Sequence, residues 1–317
     1  MNQRFLARPL QRQPFQRQPL QRQSFQRQQQ PLHQQKTISK SPGLVGNSIA
    51  EKLSNVPDFH MEITPSPGIN PFSENLNSEC DLFLKTYHGD YKWLPYVYRS
   101  ILKFVTGFRQ LILVYDQGHG LPPSPPTGIR VKMFAVNPLV ALPGVSYSPS
   151  TGYFQQQAIK MMWNYFTDAA YVFMIDSDTI FTSHFHKNNI FDGDKMYQNY
   201  RDFPGGDSVI WKPSIDLMYG SNSPYDFMPR QGFAYNRISQ IHFLKHVEKL
   251  VHGSPYKLIR RPDVFLPSEF NMMGAFNFMY EQSRYTFTTN PKWSLNQEWS
   301  WGGLTPEIQQ KMNGILS

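Results

Sequence analysis

Ala170-Tyr171-Val172-Phe173-Met174-Ile175-Asp176-Ser177-Asp178-Thr179 decides how this chain is read: an apolar run of strand length stops at two carboxylates one residue apart. Such a run reads as a buried strand, which places the aspartates at its C-terminal edge, where open α/β sheets bind ligands. Residues at alternate positions of an extended segment point the same way. Two hard oxygen ligands there suit a Mg²⁺ or Mn²⁺ ion carrying a diphosphate. The plainer use of Asp176 and Asp178 is to cap a turn, since aspartate is common wherever strands end.

Working outward, Asp81–Thr86 reads as a first strand and residues 91–107 as a helix, with Asp90 as N-cap and Gly107 as terminator. Gln110–Tyr115 reads as a second strand ending at Asp116, Val131–Val136 as a third, and Tyr153–Phe166 as a helix that delivers the chain to the strand before Asp176. Strand, helix, strand, strand, helix, strand implies a mainly parallel sheet flanked by helices. Downstream the pattern is less regular. Ser208–Trp211 and Gly232–Tyr235 read as short strands, Ser239–His252 and Ser268–Glu281 as helices, Tyr285–Thr288 as a late strand and Thr305–Leu316 as a closing helix.

An apolar strand followed by Asp-x-Asp-x-Thr also begins the haloacid-dehalogenase-type phosphatases. There the first aspartate is nucleophile and normally lies on the first strand, whereas an α/β pattern precedes Asp176 here. The Gly-Asp with a second Asp four residues later is also missing: Gln198 follows Asp194, and Trp211 follows Asp207. The order of elements, Asp116 after the second strand and Asp176-Ser177-Asp178 after the fourth instead resemble the GT-A class of nucleotide-sugar glycosyltransferases, over about residues 79–305. Leu84–Asp90, Tyr153–Gln157 with Lys160, Pro267–Phe270 and Trp299–Gly303 resemble a narrower GT-A-like family with an Asp-x-Asp motif, a match that carries no substrate.

The resemblance implies a Rossmann-like fold and transfer of a sugar from a nucleoside diphosphate to a hydroxyl acceptor, a glycan or a related molecule, with Mn²⁺ or Mg²⁺. The Leu84–Tyr87 segment, with Thr86 and Tyr87, and Asp116 would border the nucleoside. Asp178 would be the main metal ligand, with Asp176 nearer the ribose and diphosphate, and Lys160 would reach the phosphates. The plain alternatives are a strand end, a turn residue and a solvated helix charge. Many GT-A enzymes complete the metal shell with a late histidine, whereas the last one here is His252, so the diphosphate, water or another side chain would do so. His184-x-His186 reads as loop.

An inverting transfer needs a carboxylate to take the acceptor proton. Glu269, at a helix start after Ser268, is the first candidate, and Asp207, after Gly205-Gly206, the second. A glutamate in a first turn is also favoured by the helix dipole alone. Trp293, Trp299 and Trp301 suit core packing better than an acceptor platform.

The first 40 residues are a separate object. Leu10-Gln-Arg-Gln-Pro14 and three following copies form a five-residue repeat that cannot bury enough apolar surface to offset its ordering entropy. These residues hold eight basic and no acidic side chains; removing them from 31 basic residues leaves 23 against 23 acidic ones, so the whole +8 belongs to the tail. The body thus has no composition for a nucleic-acid groove. The tail suits a solvated linker, or contact with an acidic partner or anionic surface. Residues 1–78 are read as disordered tail and linker. Residues 79–317 are read as one domain, with a nucleotide-binding half to about residue 180 and an acceptor half beyond it. Gln and Arg interrupt every candidate signal core, no span is apolar enough for a membrane, and Cys80 alone forms no internal disulfide, so a cytoplasmic protein is expected. A silent fold whose tail does the binding is the reading that differs in kind.

Overall fold

Strand side chains alternate between two faces, and in the computed structural model the central strands are buried on both. It describes residues 50–52, 65–74, 77–137, 150–229, 232–259, 266–298 and 300–317; the repeat lies outside them. In chain order the main elements are β1 (Asn77–Thr86), α1 (Leu94–Phe104), β2 (Leu111–Asp116), β3 (Val131–Val136), α2 (Ser150–Met161), β4 (Ala169–Asp176), β5 (Thr179–Phe181), β6 (Lys195–Asn199), α3 (Lys212–Tyr219), β7 (Phe233–Asn236), α4 (Arg237–Val251), α5 (Glu269–Tyr280), β8 (Tyr285–Thr288), β9 (Leu295–Gln297) and α6 (Pro306–Leu316).

The central sheet runs β7-β4-β1-β2-β3. β1 pairs in parallel with β2 and β4, β2 in parallel with β3, and β7 antiparallel with β4. Phe83, Ile112, Val114, Val172 and Met174 point to one face, where they meet Ile159 of α2, Ile215 of α3, Leu244 of α4 and Met272 of α5. Leu82, Leu84, Leu111, Leu113, Phe173 and Ile175 point to the other and meet Val97 of α1 and Met312 of α6. Helices therefore cover both faces of a mostly parallel sheet, which explains why its strands read as continuous apolar runs.

β1, β2 and β3 step outward in one direction, and β4 returns to the other side of β1. The strand order reverses between β1 and β4, and in open α/β sheets that reversal opens a crevice at the carboxyl edge.

The structure corrects several local readings. Asp90 does not cap α1. It closes a short 3-10 turn, His88–Asp90, and the helix starts later, with Pro95 in its first turn. The helix ends at Phe104, and Gly107 at φ 82° turns the chain; a Cβ there would lie 2.5 Å from His186 Nε2. The helix expected over 153–166 begins at Ser150 and stops at Met161, followed by a 3-10 turn at Trp163–Tyr165. Ser208–Trp211 is not a strand but part of a 3-10 turn, Gly206–Trp211, because Gly205 and Gly206 take φ of 69° and 58° and the chain runs straight into α3.

Arg237, buried at the start of α4, ties an early segment to the body. Its guanidinium donates to the carbonyls of Thr167 (2.6 Å), Asn70 (2.8 Å), Asn164 (3.3 Å) and Ser73 (3.3 Å). Among the described residues no helix is long and apolar enough to cross a membrane.

Candidate functional site

The parallel strands β1, β2 and β4 end at Thr86, Asp116 and Asp176, so all three residues lie on one edge of the sheet. The pairing sets Lys85 beside Asp176 and Thr86 beside Tyr115. Expected residues from three strands therefore share one edge of the sheet, with Thr86 and Asp176 on the two strands that flank the reversal of strand order.

Asp176 and Asp178 do not present alike, because β4 stops at Asp176 and the chain turns through Ser177 and Asp178 before β5. Asp176 faces Lys160, whose Nζ lies 2.5 Å from Asp176 Oδ1 and 2.9 Å from Glu269 Oε1. The same ammonium lies 4.4 Å from the centroid of the Phe270 ring, and Phe270 stacks on Phe233 at 3.7 Å. Burial disfavours the charge of Lys160, but the two carboxylates outweigh it and hold its pKa above the ordinary lysine value. Lys160 is thus a caged cation rather than a solvated helix charge. It comes from the last turn of α2, and Glu269 opens α5, which is how two helices meet under one strand end.

Glu269 has only 3% of its side chain exposed. Burial pushes its carboxyl above the usual range, with the Lys160 charge acting in the opposite direction. Ser268 precedes the helix without a side-chain capping bond; the Glu269 backbone N–H donates instead to Gln157 Oε1 at 2.8 Å. Nearby, Tyr153 Oη donates to the Pro267 carbonyl at 2.5 Å and accepts from Trp211 Nε1 at 3.1 Å.

Asp178 is held by the late strand β9, which pairs antiparallel with β5. Ser300 N–H donates to Asp178 Oδ2 at 2.9 Å and Gln297 Nε2 to Oδ1 at 3.4 Å, while Glu298 N–H takes the Asp178 carbonyl at 3.0 Å. Burial, then the neighbouring Asp176 charge, push the Asp178 carboxyl up to about 7 against those donors. A third carboxylate, Asp90, accepts from Ser177 Oγ at 2.6 Å and is raised by burial, with Ser177 and Ser300 opposing and Asp176 adding to the rise.

On the β2 side, Lys85 Nζ lies 2.5 Å from Asp116 Oδ1 and donates to the Thr86 carbonyl at 2.6 Å. Burial lowers its pKa, and Asp116 opposes the fall. Thr86 is buried, whereas Tyr87 is exposed and its hydroxyl is raised by burial and then by the Asp90 and Asp178 charges. His88 from the β1 end stacks on His119 from the β2 end at 4.1 Å.

Asp207 lies in the Gly206–Trp211 turn, and its side chain lies outside the described part. So do Trp299 and the Trp301 side chain. Trp293 packs in the core against Phe173 at 5.3 Å, as expected. His186 serves the loop, accepting from Asn188 N–H at 3.1 Å.

From sequence Asp90 reads only as a helix cap, and Ser177, Gln157, Gln297 and Ser300 carry no role, whereas Lys85 falls within the Leu84–Tyr87 segment expected at the nucleoside. Lys85 carried a visible signal, a lysine inside an apolar strand. The others depend on contacts between distant segments.

Among the described residues no three His, Cys, Asp or Glu side chains converge as a metal-binding group. The donor chemistry still suits a hard divalent cation: Asp176 and Asp178 offer carboxylate oxygens whose mutual repulsion a cation would relieve. A scan against protein-family models and a search of curated proteins each returned no match.

Proposed function

We propose that this chain is a metal-dependent glycosyltransferase of the GT-A type that moves a sugar from a nucleoside diphosphate to a hydroxyl acceptor. The observation that carries this reading is the Asp176–Asp178 turn at the carboxyl end of β4, beside β1, where the strand order reverses. Asp178 would hold Mn²⁺ or Mg²⁺, with Asp176 alongside; substrate oxygens and water would complete the shell, since these ions commonly retain water. When bound, the ion would neutralise the leaving diphosphate. Thr86, Tyr87 and the Lys85–Asp116 pair border the nucleoside end of the crevice. Lys160, buried between Asp176 and Glu269, serves the carboxylates and supports Asp176 from beneath. The acceptor is a glycan or another hydroxyl-bearing molecule.

Purified protein with Mn²⁺ and a panel of nucleotide sugars provides the test. Protection against melting and hydrolysis of one donor support the reading. Phosphate release from simple esters, with no donor protection, would replace it with phosphatase chemistry at Asp176.

A further inference from the structure

A general base must reach the acceptor's proton, within about 2.6–3.2 Å or through one water. Glu269 is buried, and its described partners are within the protein: Lys160 Nζ 2.9 Å from Oε1, and Gln157 on its backbone. Lys160 in turn reaches Asp176 Oδ1 at 2.5 Å, with the Phe270 ring closing another side of the ammonium. One cation therefore stands between two carboxylates. One of these is sealed in the body at 3% side-chain exposure, and the other, at the carboxyl end of β4, keeps 16%.

We infer that Glu269 is a positioning residue that acts through Lys160, drawing part of the ammonium's field away from Asp176 so that Asp176 keeps its negative charge towards a divalent cation. The inference rests on the metal-dependent reading above. A lysine paired with Asp176 alone would neutralise it and compete with the metal. A lysine shared with Glu269 leaves the trio one negative charge in excess, and the crevice side is where a cation meets it. Outer-shell partners of this kind change metal affinity by about 10–100-fold when removed.

The experiment is a Mn²⁺ titration by calorimetry at neutral pH on the full chain, the Glu269→Gln and Lys160→Met variants and the double variant, with circular dichroism confirming each fold. Glu269→Gln keeps the shape and removes the charge, and it weakens Mn²⁺ binding about tenfold. In the Lys160→Met background the same substitution changes the dissociation constant less than twofold, because the residue through which Glu269 acts is gone. If Lys160→Met does not fold, the Glu269→Gln titration decides alone. Unchanged Mn²⁺ affinity in Glu269→Gln overturns the inference; joined to a 10²–10⁴-fold loss of turnover, it restores Glu269 as the base. Should the parent chain bind no Mn²⁺, the metal-dependent reading falls and takes this inference with it; parent binding with an unaffected Glu269→Gln removes the inference only.

Discussion

Asp178→Asn separates the cost of the buried carboxylate from its use. The Asp178 carboxyl is raised from 3.8 to about 7, first by burial and then by Asp176. A folded-state pKa above the unfolded one means that the folded chain holds the proton more tightly. The corresponding stability is fully present below about pH 4 and is lost as pH rises through about 7. Roughly three pH units at 1.36 kcal/mol each give a loss on the order of 4 kcal/mol by pH 8. Asparagine keeps an oxygen for the Ser300 N–H and has no charge to bury. The variant therefore matches the parent near pH 4 and exceeds it by a few kcal/mol at pH 8. At about 2–4 °C per kcal/mol for a domain of this size, that is a Tm gain of roughly 10 °C. Urea or thermal unfolding followed from pH 4 to 8 makes the measurement. A stability difference that stays constant across the range would show that Asp178 ionises normally and that neither burial nor Asp176 raises it. At pH 8, millimolar Mn²⁺ should raise the Tm of the parent and leave that of the variant in place.

Other outcomes follow from the contacts. Asp116→Asn leaves the Lys85 ammonium buried against the Thr86 carbonyl and costs about 3–5 kcal/mol, whereas Lys85→Met, which leaves the less buried Asp116, costs less; urea midpoints compare them. Gly274→Ala drives a Cβ into the Phe227 side chain and overpacks the core by about 1–3 kcal/mol, read as a lower Tm. Removing residues 1–40, which carry charge and no core-forming pattern, leaves Tm within a degree or so of the parent in calorimetry.

Periodicity revealed the frame because the central strands are buried on both faces, and continuous apolar runs such as Leu111–Val114 and Val172–Ile175 have few other uses. Tyr285–Thr288 and Val131–Val136 fall where their patterns place them. Ser208–Trp211 misled because β-branched and aromatic residues favour strands, while the glycines before them set the backbone locally. Asp90 misled for a related reason. A carboxylate before a helix is a good cap in sequence, but its partner Ser177 is 87 residues away and no local pattern encodes that contact. In the site, the strand-end residues Thr86, Asp116 and Asp176 were legible, since a strand's end can be read locally. The sharing of Lys160 between Asp176 and Glu269 was not, because it joins a helix end, a strand end and a helix start from three parts of the chain.

The Arg237 guanidinium bonds carbonyls that include that of Asn70, 167 residues earlier. A ribosome adds about 5–20 residues per second, so Asn70 is made roughly 10–30 s before the side chain that will hold it. During that interval the early segment has no access to this anchor, and its docking is a late event in biosynthesis. Any chaperone that recognises the segment meets it before the body of the protein can.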